Sequence, residues 1–106
     1  MSKVIMLLET TTVTEVGETA GDQHNCQLVD DEAGAVQFKI TAGTCTEIEL
    51  QGRLHPDMSW VEIATSGALS AAGTDEVLQT GVAVLPQMRA VMKGATGASV
   101  LVGLME

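Results

Sequence analysis

Hydrophobic positions recur at every second residue over most of the chain. Val36, Phe38 and Ile40 alternate with Gln37 and Lys39, the period of a half-buried strand. Ile48 and Leu50 alternate with Glu47, Glu49 and Gln51, so one face of that strand is apolar and the other charged. Trp60-Val61-Glu62-Ile63 predicts a further strand. Val77 to Leu85 is more continuously apolar and reads as a strand buried on both faces. Pro86 has no backbone N–H to donate and marks a strand start, edge or bulge. Met88 to Lys93 resumes the extended pattern. Ser99 to Met105 closes it, with Val100, Val102 and Leu104 on one face.

Glycines punctuate these runs where turns are needed, and Gly94-Ala95-Thr96-Gly97 reads as a hairpin connection between two strands. No long stretch has the 3.6-residue period. The best helical candidate, Asp30 to Ala35, is too short to matter, and helix should make up less than about a fifth of the chain. Ala64 to Thr74 reads either as a loop or as a strand and turn built from small side chains. In the N-terminal third, Val4 to Leu8 is apolar, Thr10 to Thr14 is β-prone, and Gly17 to Asn25 is polar. Residues 1–30 therefore read either as an arm that donates a strand to another subunit or as ordinary strands of the same fold. The expected fold is all-β: residues 1–106 as a single β-sandwich or jelly-roll-like domain with an extended N-terminal segment.

Composition sharpens this picture. The chain has 106 residues, one domain with a modest core. It contains one Trp, one Phe and no Tyr, so Val, Leu, Ile, Ala and six adaptable Met residues must fill the interior. Acidic residues number 14 against 5 basic ones, a formal charge of −9. That sign repels phosphate backbones and anionic lipid. The basic residues Lys3, Lys39, Arg53, Arg89 and Lys93 are scattered, without a stripe, and no nucleic-acid partner is expected. Val4 to Leu8 is too short for a signal peptide or a membrane span; no membrane association is expected. Folding in a cytoplasm keeps Cys26 and Cys45 reduced.

Chemistry-bearing constellations are weak. His24, Cys26, Cys45 and His55 are the right residue types for zinc, but only the first two have the short spacing that structural sites use. His24 and Cys26 share a face of any strand, yet no oxyanion-hole motif accompanies them. Asp30-Asp31-Glu32 lacks the calcium-loop pattern and reads as a solvated turn. Trp60, flanked by Val61 and Ile63, reads as a core aromatic sealing one end of the sandwich. The expectation is no catalytic residue, no cofactor and no metal; the protein is not an enzyme.

From Ile48 to Glu106 a family resemblance appears. Glu47-Ile48-Glu49-Leu50-Gln51-Gly52-Arg53-Leu54, Ser59-Trp60-Val61-Glu62-Ile63 and Val84-Leu85-Pro86-Gln87-Met88-Arg89-Ala90 lead to the closing run Gly97 to Glu106. This succession resembles small β-sandwich proteins encoded among the structural genes of tailed bacteriophages. It covers a little over half of the chain. The resemblance implies a virion structural protein, a capsid decoration or cement protein that stabilises the phage head. Its partners would be the major capsid protein or another virion protein, with assembly in the host cytoplasm. By analogy with decoration proteins it implies a homo-oligomer, with a trimer favoured. Arg53 and Arg89 are then framework residues, each able to pair with a carboxylate such as Glu62 or with backbone carbonyls. The alternative is a tail-associated or carbohydrate-binding β-sandwich module. Sugar sites need aromatic platforms, and this chain has almost no aromatics.

Overall fold

The computed structural model describes residues 4–9, 18–20, 23–25 and 34–105. Ten strands run in chain order: β1 (Val4–Glu9), β2 (Glu18–Ala20), β3 (His24–Asn25), β4 (Gly34–Cys45), β5 (Glu47–Arg53), β6 (Val61–Thr65), β7 (Leu69–Ser70), β8 (Glu76–Val82), β9 (Gln87–Lys93) and β10 (Thr96–Met105). No helix occurs among the described residues. The protein is all-β, with two antiparallel sheets packed face to face as in a β-sandwich. The first has the order β1-β10-β4, with β7 and β8 both pairing along the far side of β4. The second has the order β2-β9-β5-β6, with β3 beside β2 on the same side of β9.

The period-two pattern places the core. Val36, Phe38 and Ile40 of β4 point inward with Val100, Val102 and Leu104 of β10 and Leu7 of β1. They meet Ile48 and Leu50 of β5 and Met88, Ala90 and Met92 of β9 across the gap. Phe38, the single Phe, is completely buried. Methionine shares the work that aromatics do elsewhere, because its unbranched chain fits irregular gaps.

The chain passes between sheets at two tight corners that touch. Thr46 alone separates β4 in the first sheet from β5 in the second, and its N–H donates to the Lys93 carbonyl, 2.9 Å. Gly94 and Ala95 separate β9 from β10 in the reverse direction. Gly94 has φ +63°, and a Cβ there would strike the Thr46 hydroxyl. Gly43 has φ +73°, and a Cβ there would strike the carbonyls of Thr96 and Gly97. Both positions need glycine's left-handed backbone and its lack of a side chain. The hairpin expected at Gly94–Gly97 is thus a sheet-crossing corner: β9 and β10 belong to different sheets and do not pair.

Other expectations shift for similar reasons. β8 is not buried on both faces. Alternation turns Val77 against the core and leaves Leu78 60% exposed on the outer face. Ala64 to Thr74 takes the strand-and-turn form, with β7 inside it. Trp60 lies just before β6 and outside the core cluster. Gly34 and Ala35 open β4, while residues 30–33, which complete the short helical candidate and hold Asp30-Asp31-Glu32, fall outside the described residues. In the N-terminal third, β1 pairs with the chain's own β10, and β2 and β3 with its β9. Thr10 to Val16 falls outside the described residues.

Candidate functional site on the second sheet

Alternation turns Glu47, Glu49, Gln51 and Arg53 of β5 to the outer face of the second sheet, because Ile48 and Leu50 point inward. The same logic turns Gln87, Arg89 and Lys93 of β9 outward. Register then decides the neighbours: Gln51 lies opposite Arg89, Arg53 opposite Gln87, and Glu47 opposite Lys93. Two groups form from these pairs.

The first group is built on Trp60. The guanidinium carbons of Arg53 and Arg89 lie over its ring, 4.3 and 4.5 Å from the centroid, within the range of cation–π attraction. Each Nε donates to the glutamine opposite, Arg53 to Gln87 Oε1 at 2.7 Å and Arg89 to Gln51 Oε1 at 2.8 Å. Arg53 also donates to Gln23 Oε1 at 2.9 Å and to the Met58 carbonyl at 3.5 Å. Cross-strand glutamines and the indole therefore fix both forks. Among the described residues neither arginine is ion-paired with a carboxylate, in a chain that has 14 acidic residues. The backbone carbonyl foreseen as a partner is there, at Met58; the Glu62 carboxylate is not. Trp60 is a half-buried surface platform rather than a core residue, because alternation through β6 gives the inward place to Ile63. Leu54 and Met58, 64 and 56% exposed, lie in the β5–β6 connection that precedes Trp60.

The second group is ionic. Carboxylate oxygens of Glu47, Glu49 and Glu62 lie within 4.8 Å of one another. Lys93 Nζ sits against them, 2.8 Å from Glu49 Oε2, 3.2 Å from Glu49 Oε1 and 3.9 Å from Glu47 Oε1. Thr65 donates its hydroxyl to Glu47 Oε2 at 3.1 Å. The Glu49 side chain is only 8% exposed. Its Oε2 has the ammonium as a close charge but no hydrogen bond of its own. Lys93 thus supplies the positive charge that three crowded carboxylates require. Alternation alone identified the charged face of β5, but nothing local in the sequence pointed to Lys93 and Glu62 as its neighbours.

Of the residues weighed for zinc and thiol chemistry, Cys45 and His55 lie at opposite ends of β5. Cys45 faces the core between the sheets, and burial pushes its thiol above the ordinary value, offset in part by a hydrogen bond with the Leu69 backbone. A thiol held neutral in this way is a poor nucleophile. His55 is exposed beyond β5, where its Nδ1 accepts the Asp57 N–H at 3.1 Å. His24 lies in β3, and Cys26 falls outside the described residues. The chain matches no protein-family model, no curated protein and no solved structure.

Proposed function

We propose that this protein is a non-catalytic virion structural protein of a tailed phage, a capsid decoration or cement protein that docks on the major capsid protein or another virion protein. The observation that carries the docking part is the Arg53–Trp60–Arg89 group, with the exposed Leu54 and Met58 in the connection that follows Arg53. Arginine, tryptophan and methionine are the residue types enriched at protein interfaces, and buried Trp and Arg anchors supply most of the binding energy there. Here the two guanidiniums are already ordered by glutamines and the indole, so little side-chain entropy is lost on binding. Their remaining N–H groups suit a carboxylate or backbone carbonyl of the partner. The phage assignment rests on the resemblance over Ile48 to Glu106.

The test is whether the tagged full-length chain copurifies with intact particles at a fixed stoichiometry. Arg89→Ala and Met58→Glu should each abolish or sharply weaken that association while leaving the circular dichroism spectrum unchanged. Failure of the wild-type chain to associate with any particle overturns the proposal. Binding to a glycan surface instead would favour the carbohydrate module, for which Trp60 is the single available platform, its ring already covered by two guanidiniums.

A further inference from the structure

The described lysines each have an acid to hand. Lys93 sits against Glu47 and Glu49, and Lys39 lies opposite Glu76 in the register of β4 and β8. Arg53 and Arg89 differ. Both guanidinium carbons lie within 4.5 Å of the one Trp60 centroid, so two like charges stand within about 9 Å of each other, near the Debye length, where each still feels the other. The register even places an acid nearby: Glu62 lies opposite Gln51, in the row that holds Arg89. Its carboxylate lies with those of Glu47 and Glu49 instead.

The two forks are not equally occupied. Arg53 uses Nε on Gln87, Nη2 on Gln23 and Nη1 on the Met58 carbonyl. Arg89 uses only Nε, on Gln51. Its two Nη atoms have no acceptor among the described residues, and neither is a buried unsatisfied group, so both are open to solvent. With Nε fixed by Gln51 and the fork against the indole, these atoms present the pair of parallel N–H bonds that takes both oxygens of one carboxylate.

We infer that Arg89, with Arg53 beside it, is the seat of an aspartate or glutamate side chain of the partner protein, so that the surface docked here is acidic at the point of contact. The inference rests on reading Arg53, Trp60 and Arg89 as a docking group, and it names the chemistry that group selects. A backbone carbonyl offers one acceptor atom and leaves both charges standing, whereas a carboxylate offers two and neutralises one. The formal charge of −9 does not oppose this locally. On the outer face of β5, β6 and β9, Arg53, Arg89 and Lys93 balance Glu47, Glu49 and Glu62, with the two arginines gathered around Trp60. A phosphate is the poorer occupant, because its second negative charge meets Glu62 in the same row.

Trp60 is the single tryptophan, so the intrinsic fluorescence of the full chain reports on this site. The probes are the end-blocked peptide Gly-Glu-Gly-Glu-Gly, its counterpart with glutamine for glutamate, and inorganic phosphate. The glutamate peptide should give a saturable change with a dissociation constant on the order of millimolar, and the glutamine peptide should bind about tenfold more weakly or not at all. Arg89→Gln should abolish the response. Arg89→Lys keeps the charge but not the fork and should weaken binding about tenfold. Lys39→Gln, which removes a charge from the first sheet, should change nothing. No saturable response to the glutamate peptide overturns the inference. So does equal binding of the glutamine peptide, tighter binding of phosphate, or an Arg89→Gln variant that binds as the parent does while its circular dichroism is unchanged. Copurification with particles without peptide binding removes the carboxylate seat and leaves docking; peptide binding without any particle association does the reverse.

Discussion

The two outer faces of this sandwich come from the same alternating pattern and end up chemically opposite. On the second sheet, Gln, Arg, Glu and Lys side chains from β5 and β9 interlock into a bonded layer, with two of its arginines stacked on Trp60. On the first sheet, β1, β10, β4 and β8 turn out Val4, Met6, Leu101, Met105 and Leu78 around a glycine hollow. The difference shows where the chain spends its polar residues. The second face satisfies itself internally, so its removable parts contribute to the stability of the single chain. The first face makes few bonds of its own, the main one being from Gln37 to Glu76, and its side chains matter to folding only slightly.

The largest effect should come from the ion pair of the second face. Lys93→Ala leaves the buried Glu49 carboxylate without its counter-charge and should lower stability by about 2–3 kcal/mol, less than a fully buried pair would lose, since the Lys93 side chain is 34% exposed. Replacing Glu49 by Leu in the same chain should restore much of the loss. Urea midpoints of the single and double variants decide this, and an additive result would break the pairing.

Next in size is Trp60→Ala, which removes the platform under both guanidiniums. A loss of about 1–2 kcal/mol is expected, the sum of two partly exposed cation–π contacts and the apolar area of a half-buried ring. Arg53→Lys and Arg89→Lys should each recover the charge but not the glutamine-fixed fork, giving intermediate midpoints.

A smaller effect, confined to alkaline solution, belongs to the core that both faces share. The Cys45 thiol is raised above its ordinary value of 9.0 by burial, so the folded state favours the neutral form. Its contribution is fully present below about pH 9 and is lost as the pH rises through the folded-state value. Cys45→Ala should flatten the decline in stability between pH 8 and pH 10.5 relative to the parent chain. Equal slopes would mean that the thiol plays no part.

The smallest change should be on the first face. Leu78→Ser should shift stability by no more than about 0.5 kcal/mol, as for an exposed position away from bonded features. A loss of 1 kcal/mol or more in thermal or urea unfolding would erase the contrast between the faces.

Much of this was legible in the residue order, and particular positions show why. A strand's side chains alternate by covalent geometry alone. Val36-Gln37-Phe38-Lys39-Ile40 and Glu47-Ile48-Glu49-Leu50 therefore announced both their strands and which residues turn inward, and Pro86 announced the start of β9 at Gln87. The β8 segment misled because a continuous apolar run suggests cover on both faces, whereas Val77 packs on the core and Leu78, on the outer face, is exposed. Trp60 misled because a lone tryptophan beside Val61 and Ile63 looks like core until the arginines beneath which it lies are known.

What the sequence determined by itself, then, is local: the all-β class, the faces of each strand and the inner residues Phe38, Ile48, Leu50, Val100, Val102 and Leu104. What only the tertiary structure decided is adjacency. Lys93 reaches Glu49 across 44 residues of chain, Arg53 and Arg89 converge on one ring, and Gly94–Gly97 turns a corner between sheets instead of closing a hairpin. Such pairings depend on strand order and register, which are set by the packing of the whole core. A strand carries its alternation within itself, but it carries no record of which distant strand will lie beside it.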